Sequence, residues 1–361
     1  MTKILSTIIG FIFFGSIVSA QLTEFSQGDI LSAGAMNQNF KHLQDQFFWN
    51  KKEIDCSTDN LTGTINDGYN HIVINGSCSI KSLTTGGWDF TKYCSDNGDH
   101  KPISRIKIIG KTGSSSDSIT IGNVGNCGAL FGSFGGFMHL ENIKIITEAV
   151  NVNDGGFMRI ENSSIHDEDS DNKGISLYNN ATFNMQNSSA LHEIKINSGS
   201  VGEFQNSTTS NNVSVEFGST IVTDNMSMLT LYIENHSTAN ISNSSILNVD
   251  IRGNSSAQIK ENSTINCSAK DLECVKLERI SSINIDSSTI TGGANKDAIK
   301  IGETSQVNLN ESTVNSTKSS SILVNGPFSN LRVIDSSTTI NGTITCNNNA
   351  FANREGTDLC N

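Results

Sequence analysis

Apolar residues along this chain come in spaced pairs rather than in runs, and the pairs return at short, near-regular intervals. Gly135-Gly136-Phe137-Met138-His139-Leu140-Glu141-Asn142 reappears twenty residues later as Gly155-Gly156-Phe157-Met158-Arg159-Ile160-Glu161-Asn162. The general pattern is apolar, any residue, apolar, an acid or amide, then Asn or Ser followed by Ser or Thr. It sets equivalent turn positions at 142, 162, 187, 206, 225, 243, 262, 287, 311 and 336, with steps of 18 to 25 residues. A second short strand precedes each turn, as in Ile175/Leu177, Ile194/Ile196, Val213/Val215, Val249/Ile251, Val275/Leu277 and Ile299/Ile301. Alternation of this kind predicts short strands with one face inward. Asn-, Gly- and Ser-rich corners such as Asn179-Asn180-Ala181-Thr182 suit the left-handed or Asx geometry of a turn between faces. A unit this small cannot bury its own apolar side, so it must stack on its neighbours. The pattern therefore predicts an all-β parallel solenoid of about a dozen coils rather than a sandwich, which would need longer strands and hairpin signals.

The first coils, Ile54-Asp55-Cys56 with His71-Ile72-Val73-Ile74-Asn75-Gly76-Ser77-Cys78, then Ile106-Lys107-Ile108-Ile109-Gly110 and Ser118-Ile119-Thr120-Ile121, resemble those of secreted bacterial right-handed parallel β-helix proteins of the pectate-lyase-like superfamily. The resemblance spans about residues 54 to 345 and implies the fold more than an activity, because that superfamily holds lyases, hydrolases, epimerases and non-catalytic surface proteins. Gly28-Asp29-Ile30-Leu31-Ser32-Ala33 and Met36-Asn37-Gln38-Asn39-Phe40-Lys41-His42-Leu43 resemble a leader module ahead of exported repeat proteins. Met36, Phe40, Leu43 and Phe47 form an apolar helical stripe with Ser32 as N-cap. This short N-terminal α-helix either covers the open end of the solenoid or joins chains, giving a monomer or a homotrimer.

The organisation read from the chain is a signal peptide at 1–20, a helical cap or oligomerisation module at 21–53, the β-helix at 54–345 and a disulfide-closed segment at 346–361. Lys3, the uncharged stretch Ile4 to Val18 and Val18-Ser19-Ala20 carry the signal reading. That stretch is too interrupted to span a membrane well, so the expected product is secreted or extracellular, periplasmic or cell-surface associated. Eight cysteines in an exported chain imply disulfides. Proximity suggests Cys56–Cys78, Cys94–Cys127, Cys267–Cys274 and Cys346–Cys360.

Charge and motifs narrow the chemistry. A net charge of -12 with no basic stripe argues against nucleic acid. Of the polygalacturonase signatures only Arg105-Ile106-Lys107 occurs, in an early coil, and zinc-protease, nucleophile-elbow and phosphate-loop motifs are absent from the sequence. Stacking the coils sets His139 beside Arg159 and Glu141 beside Glu161. A catalytic reading makes Glu161 or His166 the acid or base and Arg159 the stabiliser of a sugar carboxylate. A structural reading makes the acids members of a polar ladder continued by Gln186, Gln205, Asp224, Glu261, Asp286, Asn310 and Asp335, and it is preferred because the position is polar in nearly every coil. Asp167, Asp169 and Asp171 have the odd-position spacing of a calcium loop, though without the glycine and closing glutamate of an EF-hand. No other cofactor is indicated.

Three functions remain. The first is a non-catalytic, adhesin-like solenoid binding a polysaccharide or cell-surface glycan. The second is a polysaccharide lyase or glycoside hydrolase acting around Arg159. The third is ice binding, suggested by Thr264-Ile265-Asn266, Thr289-Ile290-Thr291, Thr313-Val314-Asn315 and Thr339-Ile340-Asn341. The first is preferred.

Overall fold

The computed structural model describes residues 49–86, 103–122, 130–166 and 174–360. From Lys51 onward these form a parallel β-solenoid of about 12 turns. The expected leader helix, the signal segment, Cys94, Cys127 and the triad Asp167, Asp169 and Asp171 lie outside the described residues.

Each regular turn contributes a strand to three faces, one more than the sequence pattern marked. Face A carries strands of five residues in the regular coils, such as Phe137–Glu141, Phe157–Glu161, Thr182–Gln186 and Ser282–Asp286. Face B carries short ones, such as Lys144–Ile146, Ser164–His166 and Thr264–Asn266. Face C carries Ile175–Leu177, Ile194–Ile196 and Val275–Leu277. The sequence reading marked some of these face B segments, Ser118–Ile121 and the Thr264 to Thr339 column, without joining them into a third face, because a typical one buries a single apolar residue such as Ile145, Ile165 or Ile265.

Strand alternation sends one set of side chains inward, and parallel register stacks them coil on coil. On face A, Met138, Met158 and Phe183 pair in succession, as do Leu140, Ile160 and Met185. Ile259, Ile285 and Leu309 continue such a column farther along. All are buried in one continuous apolar cluster. Bulk varies to fill the shaft: Phe183 pairs with Gly202, whose place a Cβ would take only by meeting Ile196 Cδ1 at 2.4 Å and Phe204 Cε2 at 2.8 Å.

The corners explain the Asn and Ser excess. Between faces A and B, Asn142, Asn162, Asn187, Asn206, Asn225 and Asn243 all hold φ between 48° and 57°, the left-handed region that asparagine tolerates. Of the ten turn positions only Ser336 lacks this geometry; there the Asp335 carboxylate accepts from the Thr338 N–H at 3.2 Å and from the Thr338 hydroxyl at 2.7 Å. The residue after each left-handed asparagine is a buried serine in several coils. Ser188 Oγ accepts from Ser163 N–H at 3.0 Å and donates to the Gln186 carbonyl at 2.6 Å. Ser163 itself accepts from Ile143 N–H at 3.1 Å and donates to the Glu161 carbonyl at 2.7 Å. A second serine ladder runs through Ser237, Ser255, Ser281 and Ser305 where face C returns to face A. These hydroxyls satisfy backbone groups where the chain bends out of register.

The ends are closed differently. Helix Leu61–Asn66 takes the place of faces B and C in the first coil, with Leu61 and Ile65 buried in the core cluster. Asn60 caps it by accepting from Gly63 N–H at 3.2 Å. At the other end Phe351–Arg354 pairs antiparallel with Thr357–Asp358, and Cys346–Cys360 locks the hairpin to the preceding coil. Cys56–Cys78 and Cys267–Cys274 are also bonded as expected.

Candidate functional site

The outward face A residues at the centre of the strand align as Lys51, His71, Lys107, His139, Arg159, Asn184, Glu203 and Val222. Two residues along, Glu141, Glu161, Gln186, Gln205 and Asp224 form the neighbouring column. Positions 19 to 36 residues apart in the chain thus become lateral neighbours at the strand spacing of about 4.8 Å.

His139 and Arg159 do lie side by side, as do Glu141 and Glu161. Their charges are used on one another. Lys107 Nζ lies 3.1 Å from Glu141 Oε2, and Arg159 Nη2 lies 2.9 Å from Glu161 Oε2 while donating to Gln186 Oε1 at 3.1 Å. His139 Nε2 faces Glu161 Oε2 at 3.5 Å and Glu141 Oε2 at 3.9 Å, beyond a good hydrogen bond. Burial, aided by the Lys107 and Arg159 charges, pushes the His139 imidazole down to about 4 against the opposing pull of Glu141 and Glu161. His139 is therefore neutral at physiological pH. Phe137 and Phe157 stack beside the cluster with centroids 5.2 Å apart and planes 1° from parallel, a pairing that sequence inspection passed over.

The other proposed acid-base residue is elsewhere. His166 sits on face B, opposite Ile146 in register, around the Asn162 corner from Glu161 and Arg159. The sequence-level set of Glu161, His166 and Arg159 is not assembled on one surface. The polar ladder also needs two changes: Lys260, not Glu261, occupies the column, because Glu261 and Asn262 both adopt left-handed geometry and the corner absorbs one more residue, and Ile334 follows Val333 opposite Asn310, which leaves Asp335 in the corner.

Beyond this cluster the same columns run on into a different environment. Asn184, Glu203, Phe204, Gln205, Val222 and Asp224 line a depression of about 220 Å³. Glu203 Oε2 accepts from Asn184 Nδ2 at 3.0 Å, and Asp224 Oδ1 accepts from Asn243 Nδ2 at 2.9 Å. No ion pair to either carboxylate occurs among the described residues. Around the corner, Asn206, Asn225 and Asn243 with Thr208, Ser227 and Ser245 line a trough of about 260 Å³. Asn206 Nδ2 donates to Asn187 Oδ1 at 3.1 Å and Asn225 Nδ2 to Asn206 Oδ1 at 3.0 Å. The ladder then slips, since Asn243 turns to Asp224, and Asn225 Oδ1 takes no amide from the next coil.

The threonines noted at Thr264, Thr289, Thr313 and Thr339 do form one column on face B, which continues upstream through Ser245, Ser227, Thr208, Ser189 and Ser164. The adjacent column is mixed, with His166, exposed Leu191 and Leu229, and Asn266. No group of His, Cys, Asp and Glu among the described residues is placed to hold a metal ion. No helix among them is long and apolar enough to cross a membrane.

Fold and surface together define a parallel β-solenoid with polar outer columns. No family model matches the chain and no curated protein matches it. Among solved structures it is similar to the A-module of the mannuronan C-5 epimerase AlgE6 from Azotobacter vinelandii, with 12% identity, a TM-score of 0.40, and coverage of 82% of this chain and 85% of that one.

Proposed function

We propose that this protein is an exported, non-catalytic solenoid that binds a polysaccharide or cell-surface glycan through its polar outer columns. The observation carrying this reading is the trough at the corner of faces A and B, where amides of Asn206, Asn225 and Asn243 face hydroxyls of Thr208, Ser227 and Ser245 in successive coils. Amides and hydroxyls offer both donors and acceptors, and their repeat along the axis suits a ligand that itself repeats. At about 260 Å³ the trough is smaller than sites that enclose a whole ligand, which fits one unit of a longer chain lying across it. The engagement of Lys107, Arg159, Glu141 and Glu161 with one another supports binding over cleavage, since catalysis needs an acid, a base and a charge stabiliser converging on the reacting atoms.

Within this reading residues 1–20 direct export, 21–53 cap or join chains, and Asp167, Asp169 and Asp171 are the position for a calcium ion. A glycan-array screen of the full exported chain, with calcium and with chelator, is the test. Positive spots should weaken at least tenfold in the Asn225→Gly, Ser227→Ala double variant, which keeps the left-handed corner while removing an amide and a hydroxyl. A blank array in both conditions would remove the glycan reading.

A further inference from the structure

The carboxylates of face A fall into two groups. Glu141 and Glu161 are each held by a cation in the adjoining column, Lys107 and Arg159. Glu203 and Asp224, two and three coils beyond Glu161, have only the neutral amides of Asn184 and Asn243 as the hydrogen-bond donors described above. A neutral donor satisfies a lone pair but leaves the negative charge in place. Both carboxylates border one depression of about 220 Å³, whose apolar part is the exposed Val222 over the buried Phe204. Gln205 and Asp224 in this depression are sequence neighbours of Asn206 and Asn225 in the trough, so the two hollows lie on either side of one corner.

A ligand spanning that corner meets hydroxyls and amides on one side and uncompensated negative charge beside a small apolar surface on the other. A uronate would place like charge on Glu203 and Asp224, in a chain already at -12. A glycan bearing protonated amines supplies the missing cations, its ring hydroxyls meeting the trough and its C–H face meeting Val222. Resting on the glycan-binding reading, we infer that the ligand class is an amino-sugar polymer with free amines, and that Glu203 and Asp224 are the residues selecting for the amine.

The test is titration calorimetry of the full chain with a glucosamine hexamer, its fully N-acetylated counterpart and a neutral glucan hexamer. The amine-bearing hexamer should bind at least tenfold more tightly than the other two, and its affinity should fall as salt is raised, because partly exposed ion pairs are screened. The Glu203→Gln, Asp224→Asn double variant keeps the size and the acceptor oxygens, and should keep the melting temperature while losing at least tenfold in affinity for the glucosamine hexamer alone. Equal binding of acetylated and free-amine hexamers, or unchanged affinity in the double variant, overturns the amine assignment and leaves glycan binding standing. Failure of all three hexamers with a positive glycan array has the same consequence, whereas their failure with a blank array removes both readings.

Discussion

At the scale of single residues the corner asparagines and His139 show how position in the coil decides behaviour. Asn162, Asn187, Asn206 and Asn225 combine a left-handed backbone with an amide ladder, so one residue type serves both the bend and the stacking. Ile280 occupies a comparable left-handed position with φ of 63° and is 64% exposed, a conformation that a β-branched residue rarely adopts. His139 carries a testable linkage. Its folded value lies near 4 against 6.5 for an unperturbed imidazole, so the unfolded chain binds this proton first on acidification. Stability is independent of the group above about pH 6.5 and declines as pH falls from there toward 4, by up to about 3 kcal/mol. Denaturant titrations at pH 7 and pH 4.5 should show a smaller loss for His139→Gln than for the parent chain. The same loss in both would mean that His139 is not buried as a neutral group.

At the scale of the repeating element the buried serines matter more than their size suggests. Ser188 is 6% exposed and its hydroxyl is the partner of the Ser163 N–H. Alanine there removes the acceptor and leaves a buried donor, which costs about 1–3 kcal/mol. The outward Ser189 of the same coil is the control, because surface substitutions usually change stability by less than about 0.5 kcal/mol. Urea midpoints should drop for Ser188→Ala and hold for Ser189→Ala; equal midpoints would show that the ladder is not what supports the corner. The periodic Asn-Ser pair was visible in the chain, but the serine's inward direction was not, because it depends on the left-handed residue before it.

Over the whole molecule the solenoid behaves as a one-dimensional stack, in which each coil is supported only by its neighbours. The C-terminal coil has a neighbour on one side only, with the Thr357–Asp358 strand and the Cys346–Cys360 bond closing the other. Removing the bond by the Cys346→Ser, Cys360→Ser double substitution frees a loop of about 15 residues, worth about 3 kcal/mol in the chain-entropy picture. Loss should be local: amide exchange in the strands from 339 to 354 should speed up while those around Met158 and Phe183 stay protected. Uniform acceleration across the chain would instead mark a single cooperative unit.

The sequence by itself determined the class of fold, the inward register of faces A and C, and the adjacency of His139 with Arg159 and of Glu141 with Glu161. These depend on period and alternation, which are local properties of the chain. Tertiary structure alone decided the third face, the separation of His166 from Glu161, and the contrast between paired Glu161 and unpaired Glu203. Those outcomes turn on which residues meet across coils, and that depends on how many residues each corner absorbs. Glu261 shows the reason: one additional left-handed residue at its corner puts Lys260 in the column where the spacing of the repeat had placed an acid.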